Sequence, residues 1–221
     1  SVILPISKYL ENVVRKNITG KRVELFPADG RDPLEWNQIP GMNLKHPCVG
    51  LLQGMNVWGK TRELLTLTKV MKELPDVTFY FAGDGSYRNK IIPKLENFKN
   101  FVWLGSLEYP IEVKKFFSEI DIYLLLSGME GLGQTIIEAL LMEKPVIATN
   151  TGGIPELIED GKTGFLIETG NHEDLIKKIN QVFAQPVKAN NMGSEGKKII
   201  KENFSWDKIA KKFVLILNQN I

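Results

Sequence analysis

The sequence predicts an α/β domain built on a doubly wound parallel (Rossmann-like) sheet. Three observations predict it. From residue 47 onward, short apolar runs alternate with segments of helical period, and such alternation gives a parallel sheet with helices on both faces. Ile122–Leu126 is a continuous apolar run, the pattern of a strand buried on both sides. Directly after it, Ser127-Gly128-Met129-Glu130-Gly131-Leu132-Gly133 leads into a helical segment. In sheets of this kind ligands bind beyond the carboxyl ends of the strands.

The elements follow in order. Val2–Ile6 reads as a strand, Ser7 as the cap of a helix to about Asn17, and Arg22–Phe26 as a second strand. Residues 27–46, rich in proline and glycine and poor in periodicity, read as a linker. Pro47–Leu52 is a strand, and Lys60–Leu74 a helix with Leu64, Leu67, Val70, Met71 and Leu74 at helical spacing. Val77–Ala82 is a strand running into Gly83-Asp84-Gly85, followed by a helix over roughly 86–97 interrupted near Pro93. Phe101–Leu104 is a strand and Ile111–Ile120 a helix. After the glycine loop a helix runs from about Gly133 to Met142, then come strands Pro145–Ala148 and Gly164–Ile167. Helices cover about 171–184 and 190–202, and a last one starts at Ser205. The chain therefore divides into a strand–helix–strand piece at 1–26, the linker, a main domain at 47–203 and a closing helix at 204–221. The loops that end strands, 53–60, 83–86, 105–110, 127–133 and 149–153, are where a ligand is expected.

Composition narrows the function. Apolar residues make up 43% and charged residues 24%, a globular rather than disordered balance. The net charge of +2 argues against a protein that coats nucleic acid, and Trp36, Trp58, Trp103 and Trp206 form no periodic stacking platform. The single cysteine, Cys48, excludes an intrachain disulfide; it lies in an apolar run and is expected to be a buried small hydrophobe rather than a nucleophile, although His46 is close by. No His/Cys/Asp grouping has metal-ligand spacing, so no metal is expected. His172 is expected to decorate a surface helix. No apolar run reaches the ~18–20 residues that cross a bilayer, and Ser1–Ile6 is too short and lacks the basic flank of a signal peptide. A start without methionine, inside an apolar strand, suggests a fragment or a processed chain.

The chemistry concentrates around the glycine loop. Gly131 and Gly133 let backbone approach a ligand closely. The unpaired N–H groups at the start of the following helix favour an anion. On that helix Ile137, Leu140 and Leu141 share the face that packs on the sheet, while Gln134, Thr135, Glu138 and Met142 share another. Glu130 precedes the helix at the strand's carboxyl end, so the two carboxylates bracket one bound molecule. The plainer alternative is a solvated Glu138 and a Glu130 that merely complements the helix start.

The segment E-G-x-G-x-x-x-x-E-A formed by Glu130 to Ala139 resembles the signature of the retaining glycosyltransferase family 4, of GT-B fold. Lys144–Thr149, Gly152-Gly153-Ile154-Pro155-Glu156, Asp160–Leu166, Phe81–Gly85, Leu104–Leu107 and Phe204-Ser205-Trp206 are similar, in order, to further motifs of that family, and the likeness covers roughly residues 45–221. The resemblance implies the C-terminal, donor-binding half of the fold. Glu130 then contacts donor-sugar hydroxyls near the reacting carbon, and Glu138 accepts hydrogen bonds from the ribose. Amides around Gly131, Leu132, Gly133 and Gln134, with Thr135, hold sugar and diphosphate; the loops at Gly83 and Leu107 lie against the nucleotide. Lys60 matches the family lysine that stabilises the leaving diphosphate. The sequence departs from the pattern in three places: Leu51 rather than arginine follows Gly50, the loop 51–59 is longer, and Thr61 replaces a glycine. Arg62 is a candidate replacement cation; the alternative is a weakened phosphate end.

The resemblance further implies transfer of a hexosyl group from a nucleotide-diphosphate sugar such as a UDP- or GDP-hexose, with retention, without a metal or other cofactor. The partners implied are that donor, an acceptor (glycan, lipid or small molecule) and the protein's own N-terminal domain, with no nucleic acid. A cytoplasmic location is implied, with membrane association through the N-terminal half left open. Three other readings remain at this point: a glycosidase, a sugar-nucleotide epimerase of the same fold, and a non-catalytic nucleotide-sugar-binding or regulatory module.

Overall fold

A computed structural model describes residues 1–27 and 30–218. Six parallel strands form the central sheet: β3 (Cys48–Leu52), β4 (Thr78–Ala82), β5 (Phe101–Gly105), β6 (Ile122–Leu125), β7 (Val146–Thr149) and β8 (Gly164–Ile167). Their spatial order is β5-β4-β3-β6-β7-β8, with every neighbouring pair parallel. The chain thus winds outward from β3 in one direction and from β6 in the other. The order reverses between them, which opens a crevice at their carboxyl ends.

Alternate residues of the central strands feed two cores. Val49 and Leu51 of β3 and Ile122 and Leu124 of β6 join one apolar cluster, with Leu64, Leu67 and Ile91 from the helices on that face. Cys48, Tyr123 and Leu125 point to the other, with Phe116, Phe117, Ile136 and Leu140. A strand buried on both faces has no polar side to show, which is why Ile122–Leu126 reads as an unbroken apolar run.

The helices are α1 (Lys8–Asn17), α2 (Trp58–Thr61), α3 (Leu67–Glu73), α4 (Arg88–Leu95), α5 (Ile111–Glu119), α6 (Gln134–Leu141), α7 (His172–Ala184), α8 (Pro186–Asn203) and α9 (Trp206–Asn218). Three differ from expectation. The helix expected over 60–74 begins at Trp58 and is broken by a tighter 3-10 stretch at Arg62–Thr66. Helix α4 runs through Pro93 rather than stopping there. Helix α8 starts at Pro186, because proline in a first turn gives up an N–H that has no intrahelical partner. Residues 219–221 of the expected closing helix, and Ala28 and Asp29 of the linker, lie outside the described residues.

At the N-terminus β1 (Val2–Ile3) and β2 (Arg22–Val23) form a separate two-stranded parallel sheet around α1. Ser7 caps α1 by accepting from the Leu10 N–H at 3.1 Å. The Glu156 carboxylate also accepts from the Lys8 and Tyr9 N–H groups, both at 2.9 Å, and so docks α1 onto the main domain. The described part of the 27–46 segment carries no helix or strand, yet it is attached to the main domain: Trp36 is buried against Phe117, and the Ile39 N–H donates to Ser118 Oγ.

Candidate active site

The crevice between β3 and β6 holds a cleft of about 520 Å³, in the size range of small-ligand sites. Gln53, Gly54, Asn56, Val57 and Lys60 line it from the β3 side. Ser127, Glu130, Gly131, Leu132, Gly133, Gln134 and Thr135 line it from the β6 side, and Ile6 closes one end.

Local chemistry shapes the glycine loop. Thr149 Oγ1 donates to the Ser127 carbonyl at 2.7 Å and accepts from the Ser127 N–H at 3.0 Å, fixing the chain as it leaves β6. The loop then lies against Gly152 and Gly153, where an added Cβ would strike the carbonyls of Glu130 and Gly131. Gly133 caps α6 with φ at 102°, a left-handed conformation that favours glycine. Helix α6 therefore begins at the cleft wall, where Gly133, Gln134 and Thr135 line the cavity. Tyr123 is wholly buried, and its hydroxyl bridges the Leu52 carbonyl (3.1 Å) and Thr135 Oγ1 (2.6 Å), tying the end of β3 to the first turn of α6. Burial pushes its phenol far up, so it stays protonated.

Two ion pairs involve the predicted carboxylates. Lys60 Nζ donates to Glu130 Oε1 at 2.8 Å across the cleft. Glu138, one turn beyond Thr135, is only 3% exposed. Its Oε1 accepts from Arg31 Nε at 2.9 Å and Nη2 at 2.8 Å, and the Tyr109 phenol lies beside it. Burial raises the Glu138 carboxyl above its ordinary range, with the Arg31 charge and hydrogen bonds opposing. The solvated reading of Glu138 is therefore excluded, and Glu130 faces a cation as well as a helix start.

Lys60, Glu130, Gly131, Leu132, Gly133, Gln134 and Thr135 converge on one cleft. Glu138, one turn further along α6 and paired with Arg31, is not among the lining residues. Gly83, Leu107 and Arg62 are not brought to it: Gly83 packs on the Gln53 backbone, Leu107 joins the apolar cluster beneath, and Arg62 is exposed on the 3-10 turn. Asp84 serves its own turn, accepting from the Gly85 N–H and pairing with Arg88 at 3.1 Å. Sequence reasoning missed Gln53, Asn56, Arg31 and Tyr109. Two of the flagged strand-end loops contain Gln53, Asn56 and Tyr109, whereas nothing in the linker marked Arg31.

A group of ligand-type side chains lies away from the cleft. His46, Cys48 and Asp121 bring ligand-type atoms within 4.8 Å of one another, a grouping invisible to sequence spacing because Asp121 comes from the bend just before β6, far along the chain. Its members already satisfy one another. Asp121 Oδ2 accepts from the Cys48 N–H at 2.8 Å and bonds His46 Nδ1 at 2.9 Å, while Glu119 holds His46 Nε2 at 3.1 Å. Burial pushes the Cys48 thiol up to about 12, so it is the protonated, buried small hydrophobe that its apolar run predicts.

Fold and cleft together define a Rossmann-like domain with a helix start, a lysine and a carboxylate at its topological switch point. The chain belongs to the glycosyl transferases group 1 family, whose model matches residues 60–199. It is 29% identical over 212 residues to an uncharacterized glycosyltransferase of Methanocaldococcus jannaschii, covering 93% of this chain and 56% of that protein. It is 31% identical over 201 residues to the trehalose synthase of Thermococcus litoralis, covering 90% of this chain and 47% of that one. The chain thus spans about half the length of these relatives.

Solved structures show the same fold. Anabaena HepE in complex with UDP and glucose superposes with a TM-score of 0.83 at 20% identity, covering 99% of this chain and 63% of that one. Sucrose-phosphate synthase of Thermosynechococcus elongatus superposes with a TM-score of 0.87 at 21% identity, covering 99% and 58%. The architecture is that of the C-terminal Rossmann-like half of GT-B glycosyltransferases.

Proposed function

We propose that this chain is the donor-binding half of a retaining glycosyltransferase of family 4, with Glu130 and Glu138 as its E-x7-E pair. It binds a nucleotide-diphosphate hexose without a metal and, with an N-terminal acceptor domain, transfers the hexosyl group to a glycan, lipid or small-molecule acceptor. The observation that carries the reading is the Lys60–Glu130 pair set over the start of α6 at the switch point. A diphosphate suits a helix start flanked by an ammonium group, and sugar hydroxyls suit a carboxylate acceptor.

Each group then has a task. Before binding, Lys60 and Glu130 neutralise each other. A diphosphate entering at the first turn of α6 competes for the Lys60 ammonium, which then meets the charge that develops on the leaving group. Glu130 is released to accept from hydroxyls of the transferred sugar. Glu138, one turn further, accepts from the ribose. Retention, with the leaving diphosphate taking the acceptor's proton, rests on the family resemblance.

Titration calorimetry with UDP, GDP and their hexose conjugates, with and without EDTA, tests this. Binding that EDTA leaves unchanged is expected; a folded protein that binds none of them at millimolar ligand sinks the proposal. The second reading, a non-catalytic donor-binding module, is favoured by one observation. Leu51 is buried where the family carries an arginine, and Arg62 stands clear of the cleft. Donor hydrolysis or transfer by the protein joined to its N-terminal half separates the two, and NMR of the product's anomeric carbon reports retention.

A further inference from the structure

Arg31 belongs to the irregular segment between β2 and β3, 107 residues from its partner Glu138. Its side chain is 16% exposed and the glutamate's 4%. Both guanidinium contacts, 2.9 Å from Nε and 2.8 Å from Nη2, fall on the same oxygen, Oε1. Arg31 is itself held. Its Nη1 donates to the Gly30 carbonyl at 3.0 Å, and its N–H donates to the Phe204 carbonyl at 3.3 Å, where the chain passes from α8 to α9. Tyr109, from the loop before α5, lies beside the pair, and its ring meets Trp36 of the same linker at a tilt of 48°, centroids 6.0 Å apart.

A buried carboxylate without such partners would take up a proton and turn from acceptor into donor. Resting on the donor-site reading, we infer that Arg31 is a positioning residue of that site: it fixes the Glu138 carboxylate in place as an acceptor for the ribose hydroxyls. Because Arg31 is also bonded to the α8–α9 junction, ribose recognition is coupled to the packing of the linker and of that junction. Facing Glu138 are the Arg31 guanidinium from the linker, the Tyr109 phenol from the loop before α5 and the buried Tyr123 phenol of β6. Both phenols are pushed up and stay neutral, which leaves Arg31 as the cation among the groups named.

The test compares wild type, Arg31→Met and Arg31→Lys. The Glu138 carboxyl is titrated by carbon-13 NMR without ligand, and UDP and GDP binding is measured from about pH 5 to about pH 8. In wild type the Arg31 charge and hydrogen bonds are expected to hold the midpoint lower than burial alone would set it. In Arg31→Met the midpoint moves up, and nucleotide affinity falls roughly tenfold per unit pH below it. Arg31→Lys keeps the charge but loses the two-pronged geometry. It is expected to shift the midpoint by less and to weaken binding at every pH. A folded Arg31→Met protein with an unmoved midpoint and flat affinity overturns the inference. If Arg31→Met does not fold, an unmoved midpoint in Arg31→Lys overturns it. Wild type that binds neither nucleotide sinks the donor-site reading instead, and the ligand-free titration separates the two failures.

Discussion

Lys60 Nζ lies 2.8 Å from Glu130 Oε1, and the two side chains come from opposite walls of the cleft. Lys60 rises from α2 after β3, Glu130 from the loop after β6, so the pair bridges the point where the strand order reverses. Besides Lys60, Glu130 Oε1 accepts from the adjacent Gly131 N–H at 3.3 Å, and Lys60 remains 35% exposed and Glu130 15%. A pair that a ligand can part without opening a core is suited to exchange one partner for a diphosphate.

Replacing Lys60 with methionine should therefore weaken nucleoside diphosphate binding by about 1.5–3 kcal/mol, the usual worth of a charged hydrogen bond. The nucleoside alone should bind wild type and variant equally. Calorimetry with UDP and uridine, or GDP and guanosine, reads the difference, and equal losses for both would remove Lys60 from the phosphates.

Glu138→Gln keeps the shape and removes the charge. It leaves the Arg31 guanidinium buried beside a neutral amide, so thermal stability should fall as well as affinity. The loss of donor binding is expected at about 1.5–3 kcal/mol. An unchanged dissociation constant in a folded variant would take Glu138 out of the ribose site.

How much of this was legible in the sequence depends on how far apart the partners lie. The sheet was legible because each buried strand signs itself locally, as Ile122–Leu126 does. So was the cleft wall, because Glu130, Gly131, Gly133 and Thr135 fall within one strand–loop–helix unit whose geometry follows from periodicity. The contacts between distant segments are not legible in that way. Arg31 meets Glu138, Glu156 reaches the start of α1, and Asp121 gathers His46 and Cys48, all across long separations. Side-chain partners of that kind leave no period or spacing in the chain. The break at Arg62–Thr66 was hidden for another reason: its leucines keep helical spacing while packing decides the tighter turn.

Gly152 and Gly153 support the glycine loop from behind. Gly152 has φ at 58°, and a Cβ there would strike the Glu130 carbonyl. Gly152→Ala must therefore move the loop that carries Glu130 and Gly131. A destabilisation of about 1–3 kcal/mol is expected from backbone strain, read as a lower Tm. Nucleotide affinity should fall with it. Full affinity in the variant would show that the loop's position does not matter to the ligand.

Gln53 lines the cleft, yet its Oε1 and Nε2 are both shut from solvent and have no hydrogen-bond partner among the described residues. An unpaired buried amide costs about 1–3 kcal/mol. Gln53→Met, of similar shape and without that amide, is expected to match or exceed the wild-type Tm in the absence of ligand. A clear drop in Tm would mean that an ordered water already satisfies the amide.

His46 gives the protein a pH dependence far from the cleft. Hydrogen bonds to Asp121 first and Glu119 second, aided by their charges, raise its pKa above the usual 6.5 despite some burial. The protonated ring is thus favoured by folding. Its contribution is fully present below the unfolded-state value and is lost as pH rises through the higher folded-state value. With the ring side chain 42% exposed, solvent screening holds the effect below about 1 kcal/mol. Urea unfolding across this interval should show wild-type stability falling relative to His46→Gln as pH rises. The two curves should run parallel once the ring is neutral in both states. Parallel curves throughout would mean that the Asp121 and Glu119 contacts bind the neutral ring as well as the charged one.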